Sequence, residues 1–197
     1  MRRVAIIASA SGNGKTTLGR ALSQRLGVRF VELDAFVHGP GWTETPDDEL
    51  RARLEPILAE DGWVIDGNYT SKIGTLVLDA ADTIVWLDLP THVWLWRLLR
   101  RTHRRVSGHE QLWNDNKETW STALWSRKSL FVYALTQQPK RRREYPMRYA
   151  GYPLIRLRNQ HEVERWIAAV DPSDQPNAVT SVVQRRVVNS RSGVDLP

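Results

Sequence analysis

Ser9-Ala10-Ser11-Gly12-Asn13-Gly14-Lys15-Thr16 brings small residues, glycines, a lysine and a hydroxyl into one short run. That combination suits a polyphosphate. A turn of small residues lets successive backbone N–H groups point inward around phosphate oxygens. A helix starting at Lys15 adds the positive end of its dipole. Lys15 then carries a full charge to the terminal phosphates, and Thr16 offers its hydroxyl to magnesium. Ser11, Gly12, Asn13, Gly14, Lys15, Thr16 and Thr17 are therefore the candidate residues for binding ATP. Ser9 stands where the phosphate-loop pattern has its first glycine. A left-handed backbone there would cost a serine about 1 kcal/mol, whereas β-like angles would cost nothing.

Two carboxylates join this run at the ends of apolar segments: Asp34 in Leu33-Asp34-Ala35 and Asp66 in Val64-Ile65-Asp66-Gly67. A carboxylate beside bound phosphates can hold magnesium through water, orient an acceptor hydroxyl or take its proton. Asp66 is the candidate for magnesium or acceptor binding, and Asp34 for acceptor orientation or the base. Arg97 and Arg101 are spaced i, i+4, so both can face one anion from one side of a helix.

Alternating strands and helices must position these groups. Arg3 to Ser9 reads as a buried strand. Lys15 to Leu26 reads as a helix, with Leu18, Leu22 and Leu26 on one face and Gly27 as its C-cap. Residues 30–33 form a second strand ending at Asp34. A helix follows from Pro46 to about Glu60, with Thr45 as N-cap and Pro56 predicting a kink or a break. Trp63 to Ile65 is a third strand, Thr83 to Leu89 a fourth, and Thr91 to Arg105 a basic helix. Glu110 to Thr136 reads as helical and Lys140 to Arg143 as a basic run. Residues 153–157 give a last strand, and Gln160 to Val170 a last helix capped by Asn159. The expected fold is α/β: a five-stranded parallel sheet with helices on both faces and a helical lid. In such sheets chemistry sits beyond the carboxyl ends of the strands, where Asp34, Asp66 and the glycine loop all fall.

The 197 residues suit one domain, expected over 1–170 with a lid at 97–149 and a flexible tail at 171–197. The absence of cysteine excludes disulfides and thiolate metal sites and fits a cytoplasmic address. No stretch approaches the roughly 20 apolar residues of a membrane span. The net charge of +6 favours anionic partners, nucleotides or nucleic acid among them.

The chain resembles the adenylate-kinase-like branch of P-loop kinases, including small proteins labelled DNA topology modulation proteins. The carrying segments are Ala10 to Thr17, Leu33-Asp34-Ala35, Trp63 to Tyr69 and Ile84 to Pro90. The resemblance implies transfer of the γ-phosphoryl group of MgATP to a small-molecule acceptor near Asp34, a nucleotide or nucleoside ahead of other metabolites. It places lid-base arginines at Arg97 and Arg101. Adenylate kinases follow the Asp-Gly of the third strand with an arginine that grips the acceptor phosphate. Here Asn68-Tyr69-Thr70 follows, and the nearest cation is Lys72. That departure favours a rival reading, a kinase for a sugar, a sugar acid or an antibiotic-like metabolite. Trp113, Trp120, Trp125 and Arg127 fall in the lid segment, as a base-stacking surface or as packing. A third reading, an ATP-binding nucleic-acid regulator, rests on the basic charge but has no recognised nucleic-acid motif behind it.

Overall fold

The computed structural model describes residues 1–107 and 130–171. Five strands, β1 (Arg3–Ala8), β2 (Arg29–Glu32), β3 (Trp63–Asp66), β4 (Thr83–Leu87) and β5 (Leu154–Leu157), form one parallel sheet in the order β2-β3-β1-β4-β5. The expected α/β architecture is present.

Side chains alternate across the sheet, as the period of two in a strand requires. Ala5, Ile7, Trp63, Ile65, Ile84 and Trp86 point to one face. They pack there with Leu50 and Leu54 of α3 (Asp47–Leu58), Val77 and Leu78 of α5 (Leu76–Ala80), and Tyr145 of α7 (Leu130–Arg148). Val4, Ile6, Val64, Val85 and Leu87 point the other way. Leu18, Leu22 and Leu26 of α1 (Lys15–Leu26) and Val163 of α8 (Gln160–Ala169) cover them. Both faces are therefore dry, and truncating Ile65 or Ile6 to alanine would cost about 2–5 kcal/mol.

The caps follow the residue types at two helix ends. Gly27 closes α1 at φ 63°, and the Asn159 side chain accepts the Glu162 amide to open α8. Three expectations are corrected. The second strand stops at Glu32, and Leu33–Val37 forms a short helix, α2, so Asp34 lies in a helical first turn. Thr45 does not cap α3; its hydroxyl donates to the Phe36 carbonyl (2.7 Å) and its amide to the Val37 carbonyl (2.9 Å). Those bonds close the 38–44 loop onto α2 and leave Pro46 as the residue preceding α3. Pro56 does not break α3, because it sits in the last turn, where the one lost bond to Ala52 falls at a fraying end. The basic run Lys140 to Arg143 lies in the middle of α7.

α6 (Thr91–Val106) leaves the end of β4 and α7 returns to the sheet. Residues 108–129, with Trp113, Trp120, Trp125 and Arg127 of the expected lid, and the tail from 172 onward lie outside the described residues. Among the described residues no helix is long and apolar enough to cross a membrane.

Candidate active site

Gly12 and Gly14 adopt φ 83° and 90°, left-handed angles that glycine reaches without a Cβ penalty. A Cβ at Gly12 would lie 2.5 Å from the Trp94 carbonyl oxygen, so the loop closes against α6 only with glycine there. α1 then starts at Lys15 with no side-chain cap and no acidic residue in its first turn. Its leading N–H groups are thus left for an anion, the arrangement that phosphate binding requires. Asn13 works inward. Its side chain donates to the Ala10 carbonyl (2.8 Å) and accepts the Leu89 amide (2.9 Å), shaping the loop and tying it to the end of β4.

Beside the loop, parallel pairing sets Glu32 of β2 directly across from Asp66 of β3. The Thr16 hydroxyl lies within hydrogen-bond distance of both, 3.0 Å from Glu32 Oε1 and 2.8 Å from Asp66 Oδ2. Lys15 Nζ stands 3.6 Å from Asp66 Oδ1. Asp66 is 2% exposed. Its burial raises its pKa above the ordinary carboxylate value, Lys15 and Thr16 pull it back, and neighbouring Asp34 pushes it further up. Two opposed carboxylates are mutually unfavourable, and a cation at this corner relieves them. Among the described residues no cluster of three His, Cys, Asp or Glu side chains could cage a metal. Magnesium bound to a nucleotide needs no cage; one hydroxyl, waters and the phosphates suffice, with carboxylates holding those waters. Thr16, Glu32 and Asp66 fit that requirement. Glu32 was not singled out from the sequence, although its place two residues before Asp34 at the end of an apolar strand was a usable signal.

Asp34 faces a different set of partners. Its Oδ1 accepts from the Tyr69 hydroxyl (2.6 Å), and that hydroxyl lies 3.3 Å from His38 Nε2. Burial pushes the Tyr69 pKa up, and the charge of Asp34 adds to the effect, so the phenol stays protonated as a donor. Next to it, the Asn68 amide donates to the Tyr145 hydroxyl of α7 (2.5 Å). Burial pushes the Tyr145 pKa up to about 12. Lys72, the nearest cation after Asp66, is held by Glu44 (2.9 Å) and Asp47 (3.3 Å). The hydrogen bond to Glu44 raises the Lys72 pKa and lowers that of Glu44. Arg97 reaches the loop: its Nη1 would lie 3.3 Å from a Cβ at Gly14, and its Nη2 donates to Gln160 Oε1 (2.9 Å). Arg101 lies one turn further along α6, half-buried.

The shikimate kinase family matches residues 11–40, the stretch holding the glycine loop, Glu32 and Asp34. Shikimate kinase 2 of Yersinia enterocolitica is 35% identical over 63 residues, which are 32% of this chain and 31% of that protein. The match thus spans about a third of the curated relative's length. Shikimate kinase from Bacteroides thetaiotaomicron superposes with a TM-score of 0.52 at 16% identity, over 85% of this chain and 94% of that one. A gluconokinase from Sinorhizobium meliloti superposes at 0.49 with 17% identity, over 96% and 97% of the two chains. The chain has the fold of P-loop kinases.

Proposed function

We propose that this chain is an ATP-dependent phosphotransferase that moves the γ-phosphoryl group of MgATP to a hydroxyl of a small molecule. The observation that carries this reading is the corner where the Thr16 hydroxyl meets Glu32 and Asp66 beside Lys15, with Asp34 next to Asp66. Binding and transfer sites are then contiguous. The family match over residues 11–40 covers the loop and Asp34 and supports the same chemistry.

MgATP, once bound, supplies the phosphoryl group and neutralises part of its charge. The chain's own groups do the rest. Loop amides and Lys15 hold the phosphates, Thr16 faces the metal, and Glu32 and Asp66 hold its waters. Asp34 orients the acceptor hydroxyl and takes its proton, with Tyr69 fixing one carboxylate oxygen and leaving the other for the acceptor. Arg97, and Arg101 behind it, spread positive charge along the lid base over the transferring group. Residues 1–170 are read as the catalytic domain, with α6 and α7 at the two ends of the 97–149 stretch packed on it as the lid base.

For the acceptor, the pairing of Lys72 with Glu44 and Asp47 favours a neutral polyhydroxylated metabolite over a nucleoside monophosphate. A cation already shared by two carboxylates is a poor partner for an incoming phosphate, and Asn68-Tyr69-Thr70 offers no arginine after Asp66-Gly67. The likeness to the adenylate-kinase-like branch therefore extends to the nucleotide side better than to the acceptor side.

The test is ATP consumption by purified protein with magnesium, against a panel of sugars, sugar acids, nucleosides and nucleoside monophosphates, with Lys15→Ala as background. A neutral sugar that raises turnover well above that background is the expected result, and turnover with sugar acids alone would overturn the neutral acceptor while keeping the kinase. Turnover with a nucleoside monophosphate alone would return the acceptor to the nucleotide class. MgATP binding without any acceptor, joined to preference for one oligonucleotide at physiological salt, would favour the regulator instead.

A further inference from the structure

The fully buried Ser9 fills the first glycine position of the loop, and its hydroxyl makes two bonds. It donates to Asp88 Oδ1 (2.8 Å) and accepts from the Trp86 indole N–H (2.8 Å). Asp88 is 2% exposed and takes a guanidinium on each oxygen. Arg142 Nε of α7 donates to Oδ1 (2.6 Å), while Arg156 of β5 donates to Oδ2 through Nη2 (2.5 Å) and Nε (3.1 Å). Arg156 also lies over the Trp86 ring, 4.1 Å from its centroid. The next residue is gripped in the same way. The Leu89 carbonyl accepts from Arg142 Nη2 (3.1 Å) and Gln138 Nε2 (3.2 Å), and its amide donates to Asn13.

The phosphate loop therefore hangs from the chain at 88–89 by two bonds, one from Ser9 and one from Asn13. That segment is in turn held by α7 and β5. Asp88 has no route to bound phosphate, since it is enclosed by its own partners. We infer that Ser9, Asp88 and Arg142 are positioning residues, which set the loop's shape for nucleotide through the seat of α7, and that serine at this position is a functional replacement for glycine. This rests on the reading that residues 11–17 bind ATP. Its unexpected consequence is that restoring the consensus glycine weakens nucleotide binding.

The chain of contacts also explains where the basic run goes. Arg142 has its guanidinium spent on Asp88 and the Leu89 carbonyl, so this member of the 140–143 run is bound inside the fold. Because Ser9 and Arg142 act through the same carboxylate, removing both should do little more than removing one.

The experiment measures MgATP dissociation constants by titration calorimetry for the full chain and for Ser9→Gly, Ser9→Ala, Ser9→Thr, Arg142→Ala and the Ser9→Ala/Arg142→Ala double variant. Thermal unfolding is followed with and without MgATP. The expected result is a rise of roughly 5- to 10-fold in dissociation constant for Ser9→Gly, Ser9→Ala and Arg142→Ala. Ser9→Thr, which keeps the hydroxyl, should stay within about twofold. The double variant should match the worse single variant. Variants that melt earlier yet bind MgATP like wild type would show a merely structural role and overturn the inference. So would effects that multiply in the double variant. If Arg142→Ala does not fold, the Ser9→Gly, Ser9→Ala and Ser9→Thr comparison decides alone. Failure of wild type itself to bind MgATP would sink the nucleotide-site reading, and this inference with it; binding that Ser9→Gly leaves intact would sink the inference only.

Discussion

The nucleotide side and the acceptor side of the site are built by different means. The phosphate loop joins a central strand to a twelve-residue helix, and its side-chain anchors are buried bonds to Asp88 and Leu89, just beyond β4. The acceptor side is assembled from short helices: α2 of five residues, α4 (Thr70–Ile73) of four, and α5 of five. The 38–44 loop is closed on itself by a bridge between His38 and Glu44 and pinned to α2 through Thr45. Helices that short are not stable on their own and take their shape from what they pack against. A rigid cradle for a common cosubstrate thus adjoins a surface whose residues can change without disturbing the cradle. This division of labour predicts that single substitutions separate nucleotide binding from transfer.

The largest separation is expected from Asp34→Asn set beside Lys15→Ala. Asp34→Asn should lower kcat by about 100-fold or more while leaving the MgATP dissociation constant unchanged, because a general base acts only on the acceptor. Lys15→Ala should lose a comparable factor of about 100-fold, accompanied by loss of MgATP affinity. Steady-state kinetics paired with calorimetry distinguishes them. Equal loss of MgATP affinity in both variants would erase the boundary between the two sides.

A smaller effect tests how the acceptor carboxylate is held. Tyr69→Phe removes the phenol that donates to Asp34 and leaves the ring in place. The expected loss is roughly 3- to 10-fold in kcat/KM for the acceptor, with MgATP affinity untouched. An unchanged kcat/KM would show that Asp34 needs no such support.

Legibility in the sequence follows the same boundary. Lys15 and Thr16 act within one consecutive run, so residue type and spacing carried their chemistry, and Gly27 and Asn159 were readable as caps for the same local reason. Asp88 is different. Its partners lie 54, 68 and 79 residues away, and nothing near it announces Arg142, Arg156 or Ser9. What could be seen was a charged residue in the apolar run Trp86-Leu87-Asp88-Leu89, which a buried strand end tolerates only with partners. Glu32 does not stand out in the sequence because residues 30–33 read as one strand, with Glu32 inside it. β2 ends one residue earlier, at Glu32, and α2 begins at Leu33, which puts Glu32 at the strand end and Asp34 in the first turn of α2. Thr45 looks like a cap because a hydroxyl precedes Pro46, yet its hydroxyl donates to the Phe36 carbonyl and closes the loop instead of accepting a helix amide.

Asp66 sits on the boundary itself, and its pH behaviour sharpens the comparison. Burial raises its folded-state pKa above the unfolded value, so the protonated form is favoured by folding. For such a group stability is fully present below the unfolded pKa and is lost as pH rises through the folded one. At neutral pH the nucleotide-free protein therefore bears a destabilising charge, which binding of MgATP offsets. Asp66→Asn should melt no lower than wild type at neutral pH without nucleotide, and its advantage should shrink as pH falls through the raised folded-state pKa toward the unfolded one. Its melting temperature should rise less on adding MgATP than that of wild type. A variant that melts well below wild type at neutral pH would mean that the Lys15 pair outweighs the burial.

The smallest effect is expected at Lys72, and its smallness is informative. The lysine is shared by Glu44 and Asp47 at the acceptor rim, and partly exposed ion pairs of this kind contribute little to stability. If the acceptor is a neutral polyhydroxylated molecule, Lys72→Met should change its KM by less than about twofold. Release of Glu44 and Asp47 would, if anything, repel an anionic competitor and widen the preference for neutral acceptors. An anionic acceptor predicts the opposite: its KM should rise about tenfold or more on losing a charge-assisted contact. Measuring KM for the best acceptor at two ionic strengths separates the cases further. Screening weakens attraction between an exposed cation and an anion and leaves a neutral acceptor unaffected. A salt-dependent KM that becomes salt-independent in Lys72→Met would assign Lys72 to substrate after all and move the acceptor side toward the nucleotide kinases.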